Sequence, residues 1–228
     1  MNGTMVNFES NGTSYQGYLA LPKSGSGPAV IVIQEWWGLV GHIKDVVDRY
    51  AAEGFVAFAP DFYHGKATDE PDEAGSLMMA LNIADAEQVI RGAVSMLVAH
   101  ESVSHDKVGV VGFCMGGQLS MFAACVDQRI GASINYYGIH PHVQPDFAAC
   151  KAPIMGFFAE HDDYASASAV AALESQLKAA GVSYSFTTYP GTHHAFFNSD
   201  RPEVYDQEAA EDTYRKAVVF FREHLEQA

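Results

Sequence analysis

The sequence predicts an α/β fold: a central, mainly parallel β-sheet with an N-terminal antiparallel hairpin and with helices on both faces. Short apolar segments rich in β-branched residues alternate with longer segments whose apolar residues recur at helical spacing. Near the N-terminus an Asn-Gly pair separates two strand-like segments, as in a tight hairpin. We find no repeat or linker, so we expect one domain over residues 1–228.

The predicted strands are short and apolar. The first two flank the Asn-Gly turn, and the third is a continuous β-branched run, as expected for a strand buried on both faces. The remaining strands follow helical segments and have the same composition. The predicted strands cover residues 5–10, 15–22, 29–34, 55–60, 107–113, 132–138, 153–160 and 183–190.

The predicted helices are recognised by spacing and by their ends. One segment places Ile43, Val46, Val47 and Tyr50 on one face and ends at Gly54, a residue type suited to a helix C-terminus. A later helix is closed in the same way by a glycine, and the last is long and amphipathic. The predicted helices cover residues 43–54, 72–82, 85–100, 115–125, 166–181 and 202–225.

Composition narrows the possible partners. Of 228 residues, 48% are hydrophobic and 18% charged, which indicates a globular protein. The formal net charge of -15 disfavours binding to nucleic acid or anionic membranes. The first residues show no secretory pattern and no apolar run reaches membrane-spanning length. With three cysteines in no metal-like spacing, Cys114, Cys125 and Cys150, we expect a reduced, cytoplasmic location.

The segment Gly-Phe-Cys-Met-Gly centred on Cys114 follows a predicted strand and opens a predicted helix. This is the nucleophile-elbow pattern with cysteine in place of serine, in which a strained turn requires small neighbours two residues away. The helix N-terminus favours a thiolate there. A buried, inert cysteine is the alternative, and it is our interpretation of Cys125 and Cys150.

Acidic and histidine residues follow two later strands. Asp162 or Asp163 could orient an imidazole, although an aspartate in such a loop is often a helix cap. His193 or His194 could be a general base, although a surface role is an alternative. The order nucleophile, acid, histidine along the chain is that of the α/β-hydrolases, and it favours the catalytic interpretation.

Glu35 ends a strand that we expect in the centre of the sheet. It is either a capped or ion-paired carboxylate, or a second acid–base group in contact with Cys114. In the second case the backbone N–H groups of Trp36 and Met115 would be placed to form an oxyanion hole.

With these residues, the chain resembles the dienelactone hydrolase (carboxymethylenebutenolidase) family of α/β-hydrolases. The resemblance spans nearly the whole chain and rests on the segments QEWWG, PDFYHG, GFCMGG, AEHDDY and YPGTHHAF. It implies the α/β-hydrolase fold without a lid domain, and hydrolysis of small esters or enol-lactones without a cofactor.

The resemblance also implies roles for individual residues. Asp162 aligns with the family's catalytic acid and His194 with its base. Cys114 would rest as a thiol and attack the carbonyl to form a thioester. Glu35 would take the thiol proton as the substrate carboxylate enters, and His194, held by Asp162, would assist turnover of the acyl-enzyme.

The sequence departs from the family at the arginines that hold the substrate carboxylate. One matched segment reads His-Gly-Lys, and the other position is Asn198. The residues that could replace these arginines are His64, Lys66 and Arg201. We expect the substrate to contact Tyr63, Tyr137, Tyr164, Phe196 and Asn198.

Three other functions share these observations. A general carboxylesterase or thioesterase would differ only in its pocket. A non-catalytic protein is disfavoured because all four candidate groups are present. A redox sensor would need a resolving cysteine, which Cys125 or Cys150 could supply if the fold brings it near Cys114. The only partner that we expect is a small substrate, and we expect a monomer.

Overall fold

The computed structural model describes residues 3–226 and contains one eight-stranded β-sheet. The strands are β1 (Thr4–Ser10), β2 (Thr13–Ala20), β3 (Gly27–Ile33), β4 (Val56–Pro60), β5 (Val103–Phe113), β6 (Ile130–Tyr136), β7 (Ile154–His161) and β8 (Tyr184–His193).

The order of strands across the sheet is β1-β2-β4-β3-β5-β6-β7-β8. The hairpin β1–β2 is antiparallel, and β2 joins β4 in antiparallel fashion. From β4 to β8 every pairing is parallel. The predicted α/β fold with an antiparallel start is therefore confirmed.

Helices cover both faces of the sheet. They are α1 (Gly41–Ala52), α2 (Pro71–Met79), α3 (Ile83–Val98), α4 (Met115–Val126), α5 (Ala167–Ala180) and α6 (Gln207–Leu225). Apolar residues of α1 and α6 pack on one face, and those of α3, α4 and α5 pack on the other. Strands β3 and β4 are buried along their whole length, because both faces are covered.

Most element boundaries differ from the predictions by a few residues, including the start of the last helix and the end of the last strand. The last helix begins at Gln207 instead of residue 202, because the Asp206 side chain accepts a hydrogen bond from the Ala209 N–H and caps the helix there. Strand β8 continues to His193, so that the two adjacent histidines lie at the end of the strand and directly after it.

The parallel strands place all their carboxyl ends at one edge of the sheet. Glu35 lies just beyond β3, Cys114 follows β5, Asp162 follows β7 and His194 follows β8. This edge is where ligands bind in sheets of this kind. Within residues 3–226, no helix is both long and apolar enough to cross a membrane.

Candidate active site

Cys114 lies in a strained turn between β5 and α4. Its backbone has φ 53° and ψ −123°, in the positive-φ region that residues with side chains rarely adopt. Its N–H donates to the Tyr136 carbonyl on the neighbouring strand at 3.0 Å, which fixes the turn to the sheet. Cys114 is partly exposed, whereas Cys125 and Cys150 are buried. The turn thus presents one thiol at the strand ends.

The glycines around Cys114 are required by backbone packing. A Cβ atom on Gly112 would fall on the Gly116 carbonyl group, and one on Gly116 would meet the carbonyl oxygens of Ile33 and Gln34. These obstacles are main-chain atoms, which cannot move aside as a flexible side chain can. The close approach of β3, β5 and α4 at this point therefore depends on both glycines.

His194 connects Cys114 with Asp162. The His194 Nδ1 atom lies 2.8 Å from Asp162 Oδ2, and His194 and Cys114 line the same cavity, where the Cys114 side chain also affects the pKa of His194. The second oxygen of Asp162 accepts the N–H groups of Tyr164 and Ala165, each at 2.8 Å. Asp162 is thus held by its own loop, and it orients the imidazole toward the thiol.

The surroundings of His194 favour the imidazolium form. Burial alone lowers its pKa, but hydrogen bonds to Asp162 and Cys114 outweigh burial and raise the pKa to about 10. The positive charge is therefore kept at neutral pH and lost as the pH rises through about 10.

We expect Asp162→Asn to lower the pKa of His194 by at least about one pH unit, because the raising interaction is lost while burial remains. An NMR titration of the His194 ring protons measures it. Asp163→Asn, which changes the exposed neighbouring aspartate, should leave the pKa in place. An unchanged pKa in Asp162→Asn would contradict the assignment of Asp162 as the partner.

Glu35 is buried and both its oxygens have partners. It is 2% exposed. Oε1 accepts the Tyr137 hydroxyl at 3.3 Å, and Oε2 accepts the Asn198 amide at 2.6 Å. Burial and the neighbouring Glu35 raise the pKa of Tyr137 well above its ordinary value, so that Tyr137 stays a neutral donor. Two neutral groups therefore hold this carboxylate beside the candidate site.

A cavity of about 330 Å³ opens at Cys114. The side chains that line it, besides Cys114 and His194, are Trp36, Met78, Ile139, Pro141 and Tyr164. Tyr164 is 65% exposed and packs against both the His194 and Trp36 rings, so that it lies at the mouth. Met115 is the first residue of α4, and its N–H is among those that a helix leaves unpaired.

The structure places the predicted substrate contacts in different positions. Only Tyr164 lines the cavity at Cys114. Tyr63 is buried with its hydroxyl 3.1 Å from Met115 Sδ, and Phe196 is fully buried in the core. Tyr137 and Asn198 contact Glu35, and Asn198 also lines a separate cavity of about 390 Å³. Substrate contact by these four residues stays a prediction.

The sequence analysis missed three residues of the cavity. Ile139 and Pro141 follow the carboxyl end of β6, and the rule that ligands bind at strand ends could have identified them. Met78 lies in α2, and no local pattern in the sequence marks it as part of a site.

The other two cysteines, Cys125 and Cys150, are free thiols that lie next to each other in the core. A hydrogen bond between the two thiols, together with burial, raises the pKa of Cys125. The Cys150 thiol also donates to the Ala152 carbonyl at 3.4 Å. This arrangement gives each thiol a partner other than Cys114. In the part of the chain that the structure describes, no cluster of three or more His, Cys, Asp or Glu side chains is arranged to hold a metal ion.

Comparison with known proteins gives a consistent result. The family model described as "Dienelactone hydrolase family" matches residues 15–225. A protein named usf from Aquifex pyrophilus is 44% identical, over 98% of this chain and 99% of the relative. A chain from Aquifex aeolicus named as a carboxymethylenebutenolidase is 38% identical over the same shares. A crystal structure described as a dienelactone hydrolase from Klebsiella pneumoniae superposes with a TM-score of 0.83 at 25% identity, covering 96% of this chain and 98% of that one.

The parallel sheet, the strained cysteine turn and the Asp–His pair beside it define a protein of the α/β-hydrolase class. Within that class, the match over nearly the whole chain shows that it belongs to the dienelactone hydrolase family. It is a hydrolase that acts on ester or lactone bonds.

Proposed function

We propose that the protein hydrolyses small esters or enol-lactones through a Cys114–His194–Asp162 triad, with a thioester intermediate and with Glu35 assisting thiol activation. The observation that carries the proposal is the position of His194, which is hydrogen-bonded to Asp162 and lines the same cavity as the Cys114 thiol. A nucleophile, a base and an orienting carboxylate in this order are the parts that covalent acyl transfer requires.

Acylation begins with a neutral thiol, a carboxylate at Glu35 and an imidazolium at His194. The Glu35 side chain turns away from Asn198 and accepts the proton of the Cys114 thiol. The thiolate attacks the carbonyl carbon, and the N–H groups of Trp36 and Met115 stabilise the negative oxygen. The carbon–oxygen bond then breaks, and the leaving oxygen takes the proton of His194 to give an alcohol and a thioester.

Deacylation restores the starting state. Neutral His194 accepts a proton from water, which attacks the thioester carbonyl. The carbon–sulfur bond breaks, and the released thiolate takes back the proton held by Glu35. One ester and one water give one acid and one alcohol, and for a lactone the two products remain one molecule. The pairing of His194 with Asp162 supports this order, because Asp162 raises the pKa of His194 and so favours an imidazolium that can protonate the leaving group.

Mass spectrometry of the acid-quenched enzyme tests the intermediate and the role of Glu35 together. With p-nitrophenyl acetate we expect an acetyl group on the peptide that contains Cys114. In Glu35→Gln the same adduct should form at least about tenfold more slowly, because the thiol proton has lost its acceptor. Glu101→Gln makes the same change at an exposed position and should acylate at the wild-type rate.

Two outcomes would count against this mechanism. Turnover of the ester with no adduct at Cys114 at any quench time would overturn the covalent route. Equal acylation rates in Glu35→Gln and wild type would leave the triad standing and remove Glu35 from it.

A further inference from the structure

The cavity at Cys114 is mainly apolar. An indole, a thioether, an isoleucine, a proline and a tyrosine ring make up its walls outside the candidate catalytic groups. Within residues 3–226, no lysine or arginine is among the side chains that line it. The one positively charged side chain that lines it, His194, is already paired with Asp162, so that a carboxylate bound here would lose its hydration without gaining an unpaired cationic partner.

The three basic residues nearest to the family's arginine positions in sequence, His64, Lys66 and Arg201, are paired or lie elsewhere. Arg201 pairs with Glu203 at 2.6 Å and lines the separate cavity of about 390 Å³. His64 pairs with Asp85 at 2.8 Å, and both line a third cavity together with Lys66. None of these three residues is among those that line the cavity at Cys114.

The titratable groups around the cavity do not supply a free positive charge either. The positive charge of His194 is paired with the Asp162 carboxylate at 2.8 Å. His140 is 2% exposed and contacts the Met78 carbonyl through Nε2 at 3.3 Å. Burial lowers the pKa of His140, which keeps it neutral at pH 7. The buried carboxylate of Glu35 and the net charge of -15 add repulsion toward anions.

We propose that this cavity selects uncharged substrates, namely esters or lactones with an apolar group beside the reacting carbonyl, and excludes those that carry a carboxylate in that position. The inference rests on the proposed function, because it takes Cys114 as the nucleophile. It assigns the substrate class by the chemistry of the walls. This substrate class differs from the one that the resemblance alone would suggest, which is lactones that carry a carboxylate.

Matched pairs of esters test the proposal. One pair is mono-p-nitrophenyl adipate, with a free distal carboxylate, and its methyl-capped form. The other pair, 4-butyryloxybenzoate and its methyl ester, carries the charge in the leaving half. In one of the two pairs, the half of the ester that carries the charge is the half that enters the cavity. For that pair we expect kcat/KM of the charged ester to be at least about a hundredfold lower than that of its neutral partner.

A cation placed in the wall should weaken this preference. Met78→Arg adds a guanidinium to the cavity, and we expect the ratio between neutral and charged substrate to fall at least about tenfold. Met79→Arg adds the same charge to the same helix at a position 48% exposed, outside the cavity, and the ratio should not change. The comparison separates a local effect from a change in net charge.

The outcomes distinguish failure of this substrate proposal from failure of the proposed hydrolase function on which it rests. Equal turnover of charged and neutral members in both pairs, with Cys114 still required, would overturn the substrate class and leave the hydrolase mechanism intact. A wild-type preference that Met78→Arg and Met79→Arg alter equally would overturn the assignment to this cavity. Failure to cleave any of the four esters faster than Cys114→Ala would instead overturn the proposed function.

Discussion

Replacing Cys114 with alanine is expected to lower kcat/KM for p-nitrophenyl acetate by at least about a thousandfold, or about 4 kcal/mol of transition-state stabilisation. In the proposed mechanism the thiol is the nucleophile, and His194 and Asp162 move and orient protons. Steady-state assays on the purified variant measure the loss, with circular dichroism to confirm that it is folded.

Two variants sharpen this test. Cys125→Ala removes a buried thiol and should keep activity within about twofold of wild type. Cys114→Ser keeps a nucleophilic atom in the strained turn but with a far less acidic proton, so that we expect activity between wild type and Cys114→Ala. Wild-type activity in Cys114→Ala would show that hydrolysis takes place elsewhere. Peroxide-dependent disulfide formation without esterase activity would favour the redox sensor.

Gly112→Ala is expected to destabilise the fold by more than about 4 kcal/mol or to prevent folding. The added methyl group would fall on the Gly116 carbonyl, and relief would require α4 to move away from the sheet. Urea denaturation followed by circular dichroism measures the free energy of unfolding. Where the variant is insoluble, its yield of soluble protein gives the same comparison.

Gly41→Ala is the matched control for Gly112→Ala. Gly41 begins α1, is exposed, and has open space where a Cβ atom would be. Alanine there should leave stability unchanged or raise it by up to about 1 kcal/mol. Equal stability of Gly112→Ala and wild type would contradict the packing argument for the elbow.

The sequence was sufficient to predict the sheet and the groups at its carboxyl edge. The periodicity and composition that identify a strand are local features of the sequence. The residue that follows a parallel strand must lie at the edge of the sheet where that strand ends. For this reason Cys114, Asp162 and His194 were identified as neighbours, and the structure brings them together. Glu35 was placed at the same edge by the same reasoning.

The pocket walls could not be predicted in this way. Which aromatic residue faces a cavity and which faces the core depends on packing between elements that are distant in the chain. Phe196 and Tyr164 have similar positions after their strands, yet one is fully buried and the other is 65% exposed. The partners of Glu35 depend on a contact between Glu35 and Asn198 across 163 residues, which no local pattern contains.

The wide separation of these residues has a consequence for how the protein folds. The groups of the site come from the ends of four strands, so that no fragment of the chain can hold the site. Contacts of such long range form late in folding, after the entropy of closing long loops has been overcome. Recovery of hydrolysis during refolding would therefore report completion of the central sheet. The circular dichroism signal of the helices should recover earlier, because helical hydrogen bonds join residues that are close in sequence.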